Sequence, residues 1–271
     1  MDEKALKTLL IDTFNTVSGD YDSKPLRFFP ESAENMARLL QLHGNEQVLD
    51  VACGTGHTSL AIARLLPQGR VTAVDFSSGM LAQARQKAAA LNLNNVEFIE
   101  RDMQNLGFSD NQFDCAICAF GIFFVMDMET QLSHISSKVK PGGRVMLSNF
   151  QENYFSPVKE LFFDRIVDYG VPNPPQTWKR IAHEQGCREL FSKAGLTDIR
   201  VETRNVGYFL ESVDDWWSIV WNAGLRRMVS QLSPAGQERF KREHIQEVEA
   251  LRTAKGIWLD IGVLYTIGTR T

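Results

Sequence analysis

Five residues of this sequence have the types and spacing to grip a polar small molecule: Asp50, Gly54, Gly56, Asp75 and Asp102. Glycines at 54 and 56 let the backbone take dihedrals that a side chain forbids and approach a ligand closely, while free N–H groups of a following helix face the same crevice. A Gly-x-Gly alone is weak, but two later carboxylates strengthen it. Residues 48–51, 70–75 and 95–100 read as β-branched strands, each ending at or just before an acid. They deliver Asp50, Asp75 and Asp102 to one edge of a sheet, the edge where open α/β folds bind ligands. Asp75 falls about where such a sheet places the carboxylate that takes ribose hydroxyls.

What the turn lacks narrows the ligand. A dinucleotide site needs a third glycine and an uncharged turn for its pyrophosphate, whereas Thr58-Ser59 occupy that region and Asp50 precedes the turn. An acid there repels phosphate and suits a cation. The ammonium and sulfonium of S-adenosylmethionine fit this pattern, with Asp75 left for the ribose and Asp102 for the adenine amine.

From Val48 to Phe150 the chain resembles the class I S-adenosylmethionine-dependent methyltransferases, most of all the ubiquinone/menaquinone-biosynthesis group. The resemblance is carried by residues 49–56 (LDVACGTG), 75–81 (DFSSGML), 108–114 (FSDNQFD), 119–121 (AFG) and 140–143 (KPGG). It implies that Asp50, Ala52, Gly54 and Gly56 surround the methionine half, that Asp75 holds the ribose with Met80 near it, that Asp102 and Met103 meet the adenine, and that Ala119 lies beside the sulfonium. Cys53 and Phe76 complete the expected cofactor contacts, with Cys53 filling space rather than doing chemistry. Residues 14–22 resemble the family's N-terminal Phe…Tyr-Asp segment, which makes Tyr21 the expected cover over the methionine end. The match departs after Gly121, where that group usually has polar residues and this chain has Ile122-Phe123-Phe124. That departure argues against carrying over the quinone acceptor.

The elements that must position these residues alternate between strand and helix, as right-handed parallel crossovers do. Helices are expected at 57–66, 77–91, 128–139 and 184–195, and later strands at 144–150, 197–204 and 257–269. The fold class is therefore α/β: a doubly wound, seven-stranded Rossmann-like sheet, mostly parallel, with a helical lid. In this family the last strand is expected to be antiparallel, between the fifth and sixth. As one methyltransferase domain, 1–271, the chain divides into an N-terminal helical cap (1–42), a cofactor-binding half (43–150), a substrate-side half (151–206), a lid insert (207–255) and a final strand (256–271).

Within the insert, Trp217 and Trp221 share a helix face and Trp216 lies on another. Core packing, an apolar substrate wall and a partner surface all stay open for them. Phe123, Phe124 and the three tryptophans are the expected substrate-pocket residues. The basic residues Arg226, Arg227, Arg239, Lys241 and Arg242 read as a solvated face, with an anionic substrate as the lesser reading. Asn173-Pro174-Pro175-Gln176 resembles an amino-methylating turn but lies after the wrong strand, so a rigid connection explains it.

Composition excludes several classes. A net charge of −4 over 271 residues gives no global attraction to nucleic acid. The N-terminus lacks a signal-like apolar run, and the longest apolar run, 115–126, is shorter than the ~18 residues of a membrane span. A cytoplasmic location is expected, and a homo-oligomer stays open. Four cysteines make no disulfide framework, and Cys115-x-x-Cys118 on a strand points its thiols to opposite faces, so no metal is expected. A base is usually a histidine near neutral pH. His57 falls in the cofactor turn, His134 off its helix's apolar stripe, and His43 and His244 in polar surroundings, which leaves His183 as the candidate. The function expected is in-line methyl transfer from S-adenosylmethionine, giving S-adenosylhomocysteine, to a small apolar or aromatic acceptor through oxygen, carbon or nitrogen. RNA or protein methylation and a non-catalytic S-adenosylmethionine-binding role remain alternatives.

Overall fold

Val48, Leu49, Val71, Val74, Ile117 and Val145 are fully buried, as strands covered by helices on both faces require. The computed structural model describes residues 3–173 and 176–271, so Pro174 and Pro175 of the proline-rich connection lie outside the described residues. Helices α1 (Glu3–Val17) and α2 (Phe28–Leu39) precede the sheet. The alternating half follows as β1 (Gln47–Val51), α3 (His57–Ala63), β2 (Arg70–Asp75), α4 (Ser78–Ala90), β3 (Val96–Glu100), β4 (Phe113–Ala119) and α5 (Met128–Ser137). Then come β5 (Val139–Phe150), α6 (Val158–Asp168), α7 (Glu184–Lys193) and β6 (Leu196–Asn205). The remainder is β7 (Tyr208–Leu210), α8 (Val213–Asn222), α9 (Arg226–Val229), α10 (Pro234–Glu249), β8 (Ile257–Leu259) and β9 (Gly262–Arg270).

The main sheet has seven strands in the order β3-β2-β1-β4-β5-β9-β6. β1 pairs in parallel with β2 and β4, and β9 lies antiparallel between β5 and β6, as expected from the family. Strand order reverses between β1 and β4, so a crevice opens at their carboxyl ends. One face of the sheet packs against α2, α3 and α6 through residues such as Met36, Ile62, Phe162 and Tyr265. The other packs against α5 and α7 through Leu132, Ile135, Leu190 and Phe191. Cys115 belongs to the first cluster and Cys118 to the second, which confirms opposite orientations for this buried pair.

The single strand expected at 257–269 is two strands. β8 leaves the main sheet to pair with β7, and the chain switches at Asp260. There the carbonyl of Asp260 accepts Phe155 N–H at 2.6 Å, and its carboxylate accepts from the side-chain amides of Asn153 and Asn205. With those groups taken, the strand cannot run straight through.

The insert 207–255 holds β7, α8, α9 and α10, and α10 packs on α6. α8 starts with a capping box in which Ser212 and Asp215 exchange bonds with each other's backbone N–H. Trp216 and His244 are fully buried inside this unit, where the indole N–H donates to His244 Nε2 at 2.8 Å. The polar setting expected for His244 is thus wrong: α10 turns it inward between Phe162 and Phe240. Burial pushes its pKa down to about 4, against a weaker opposing pull from Glu247.

A histidine that stays neutral when folded but protonates at about 6.5 when unfolded costs stability as pH falls between those values. Stability should decline from pH 6.5 to about 4 by up to about 3 kcal/mol from this group, then level off. Urea unfolding across that range checks this, and a His244→Gln variant, which keeps an acceptor for Trp216, should lose that part of the slope.

Candidate active site

The turn after β1 takes three left-handed residues close together, Ala52 (φ 57°), Gly54 (φ 54°) and Gly56 (φ 83°). A side chain at 54 would meet nothing within 4 Å, whereas one at 56 would press on Ala84 and Phe98. Gly54 therefore faces the crevice and Gly56 faces α4 and β3. The turn is held to its neighbour by Asp75, whose carboxylate accepts Gly54 N–H at 2.8 Å and Ser77 N–H at 2.9 Å. Burial pushes the Asp75 pKa up to about 6 against these stabilising bonds.

Ten of the twelve residues expected around the cofactor line one cavity: Tyr21, Ala52, Cys53, Gly54, Asp75, Phe76, Met80, Asp102, Met103 and Ala119. Gly56 and Asp50 do not. Strand alternation turns Asp50 under α3, where Ser59 Oγ donates to Oδ2 at 2.5 Å and Oδ1 has no hydrogen-bond partner among the described residues. Burial raises its pKa to about 7. The expected direct contact between Asp50 and an ammonium is corrected accordingly: its carboxylate stands behind the turn.

The cavity's far wall comes from the N-terminal segment. Asn15 Oδ1 accepts from Ser77 Oγ and Gly79 N–H at 2.7 and 3.0 Å, and Lys7 Nζ donates to Asp102. Asp22 accepts from Thr55 Oγ1 at 2.6 Å and is paired with His57 and Lys87 at 2.8 and 2.5 Å. Sequence reasoning passed over Lys7, Asn15 and Asp22 because their partners lie 33 or more positions away on other elements. Tyr21 stacks on Phe29 at 5.0 Å, and burial raises its phenol far above the usual range.

A second cavity opens from the first, sharing Phe14, Tyr21, Phe29, Phe120 and Phe124 with it. Its floor is a stack of Phe120 on Phe150 (4.4 Å) and Phe150 on Tyr154 (4.6 Å). Phe123 and Trp178 add to the wall, and Thr177 Oγ1 holds the Phe123 carbonyl at 2.9 Å. Gly121 is needed for this junction, since a Cβ there would lie 2.8 Å from Ala52 and 2.9 Å from Cys118 Sγ.

Phe123 and Phe124 thus line the second cavity as expected, but the three tryptophans do not. Trp216 is internal to the insert. Trp217 and Trp221 stack on each other at 6.0 Å on its outer side, under Lys241 and Arg226. From the same insert the cavity takes Ile219, Arg227 and Met228 instead. His183 also lies away from both cavities; it is exposed and pairs with Glu152 at 3.2 Å.

The residues present fit S-adenosylmethionine: two carboxylates on the cavity wall suit a ribose diol and an adenine amine, and Phe76, Met80 and Met103 supply apolar plates. Among the described residues, no group of three or more histidines, cysteines, aspartates or glutamates could hold a metal ion, and no helix is long and apolar enough to cross a membrane.

Residues 48–143 match the family described as a methyltransferase domain. A demethylmenaquinone methyltransferase of Bacillus cereus is 30% identical over 219 residues, which span 72% of this chain and 90% of the relative. The YcgJ protein from Bacillus subtilis has the same fold with a TM-score of 0.60 at 19% identity, over 89% of this chain and 98% of its own. A Haemonchus contortus phosphoethanolamine N-methyltransferase 2, solved with S-adenosylhomocysteine and phosphomonomethylethanolamine, gives 0.55 at 16% identity, over 89% of this chain and 52% of its own. The two structures share the fold, and the identity and coverage of the Bacillus cereus relative establish descent: the chain belongs to the class I S-adenosylmethionine-dependent methyltransferases.

Proposed function

We propose that this methyltransferase acts on a small apolar or aromatic acceptor held in the second cavity. The observation that carries the reading is the joining of two unlike chambers at Tyr21, Phe29, Phe120 and Phe124, one walled by acids and turns, the other by rings. In the first, Asp75 would take the ribose hydroxyls and Asp102 the adenine amine, with Ala52, Cys53, Gly54 and Ala119 around the methionine end and Tyr21 covering it. Bound S-adenosylmethionine supplies an electrophilic methyl on a sulfonium sulfur.

The surrounding residues then have three tasks: to align the acceptor with that carbon, to exclude water, and to keep the charge that develops in the transition state away from bulk solvent. Phe120 and Phe124 lie at the junction and do the aligning in this reading. Among the described residues no histidine lines the second cavity, and the Tyr21 hydroxyl, on the wall the two cavities share, stays protonated because burial holds its proton on. The acceptor therefore needs to arrive already nucleophilic or to pass its proton to solvent. Action in the cytoplasm belongs to the same proposal, in keeping with four free thiols, one of them, Cys53, in the cofactor turn.

Transfer of label from methyl-labelled S-adenosylmethionine into an extract of the native cell tests the acceptor class. Label is expected in the organic phase, while label in precipitated, nuclease- or protease-sensitive material would overturn the small-molecule reading. For the cofactor site, Asp75→Asn should weaken S-adenosylhomocysteine binding by about 10- to 100-fold in calorimetry, the loss typical of a hydrogen bond to a charged group. Only the ionised carboxylate accepts both ribose hydroxyls, so wild-type affinity should be flat above pH 6 and fall about tenfold per unit below it. An Asp75→Asn protein with unchanged affinity would remove this residue from the site.

A further inference from the structure

The second cavity contains one charged side chain among the described residues, Arg227 of α9. Three other arginines of the insert are engaged: Arg226 lies over the Trp221 ring at 4.4 Å, Arg239 pairs with Glu243 at 2.8 Å, and Arg252 pairs with Glu249. Arg227 is half-buried among Tyr154, Phe155, Ile219 and Met228, with no carboxylate paired to its guanidinium among the described residues.

A guanidinium cannot shed its proton to escape such surroundings, and an unpaired half-buried charge is costly. Lys159 is buried behind the wall, 4.2 Å from the Tyr154 ring and 5.1 Å from that of Trp178, where it pairs with Glu160 at 3.7 Å, and among the described residues no aspartate or glutamate lines the cavity. Tyr154 stays protonated, its pKa pushed up to about 12 by burial, and its hydroxyl has no hydrogen-bond partner among the described residues. A planar five-donor fork and a phenol O–H thus face one aromatic chamber, and neither has a hydrogen-bond partner among the described residues.

We infer that Arg227 is a specificity-determining residue that receives a carboxylate, or an oxyanion of like geometry, on an acceptor whose body is aromatic or apolar. The inference rests on the methyl-transfer reading for the purpose of the chamber, and adds the acceptor's charge and its orientation. Arg227 lines the second cavity and not the first, so the anionic group sits at the end away from the sulfonium. It is the handle by which the acceptor is held, and the methyl goes to an atom at the other end. The rings of Phe120, Phe150 and Tyr154 span the distance between the two ends.

The test is binding, measured by calorimetry on the full chain saturated with S-adenosylhomocysteine, of a panel of aryl and naphthyl carboxylic acids, each beside its carboxamide. The acids should bind about tenfold or more tightly than the amides of the same shape, as a charge-assisted pair requires. Arg227→Gln should reduce that preference to near unity with S-adenosylhomocysteine affinity unchanged, which also shows that the variant is folded. Arg227→Lys should restore part of the preference, and the methyl ester of each acid should behave as the amide does. Equal binding of acids and amides, no binding of either, or an acid preference that survives Arg227→Gln would each overturn the inference. Failure of S-adenosylhomocysteine to bind would instead strike the methyl-transfer reading, so the two failures are distinguishable.

Discussion

The two hydrogen bonds from Gly54 N–H and Ser77 N–H to the carboxylate of Asp75 are the constraint on which the site depends. One carboxylate spans the turns after β1 and β2, so neither turn can shift without leaving a buried charge unsatisfied. The strain stored at Ala52, whose left-handed φ of 57° is unfavourable for an alanine, is held in place by that tie and by Cys53 N–H bonding to Val74 O at 3.0 Å. The same packing brings Asp50 and Asp75 near enough to raise each other's cost of ionisation, and burial does the larger part. A crevice with two reluctant carboxylates behind and beside it is prepared for a ligand that brings positive charge.

The cap over this crevice is held chiefly by rings. Phe14 meets Phe124 at 5.4 Å and Tyr21 meets Phe29 at 5.0 Å, and such pairs contribute about 0.5–1.5 kcal/mol each beyond their buried area. Its ion pairs are lesser terms: Lys24 and Glu211, which join cap to insert, are both largely exposed, and pairs of that kind contribute about 0–1 kcal/mol. More of that join comes from Arg27 lying 3.5 Å over the Tyr208 ring and from Tyr208 OH donating to the Pro25 carbonyl.

Sequence showed the nucleotide-side half well because its signals are local. Asp75 and Gly54 lie within a few residues of the strand ends and turns that place them, so a period of two and a glycine spacing suffice to locate them, while Met80 followed from the family resemblance. Asp50 was misplaced by one step of that same period: as the penultimate residue of β1 it points under α3, not into the crevice. The aromatic half was less legible, because its walls come from five separate segments brought together only by tertiary packing. An apolar helix such as 213–222 does not announce which face meets a cavity, and Trp216 found its hydrogen-bond partner 28 residues away on α10. A run of basic residues is equally silent about the one member, Arg227, that turns inward while Arg226 turns out. The break at Asp260 escaped notice for the same reason, since the amides that take its carboxylate belong to Asn153 and Asn205.

The arrangement of charge gives the chemistry a direction. Among the described residues Asp75, Asp102, Lys7 and Arg101 line the first cavity, with Lys7 donating to Asp102 and Asp50 buried behind the turn, whereas one charged side chain, Arg227, lines the second. Methyl transfer consumes the positive charge of the sulfonium. In the proposed reading Asp75 and Asp50 would lose a nearby positive charge at that moment, while their hydrogen bonds to Gly54, Ser77 and Ser59 persist. Buried acids so placed would favour the charged donor over its neutral product.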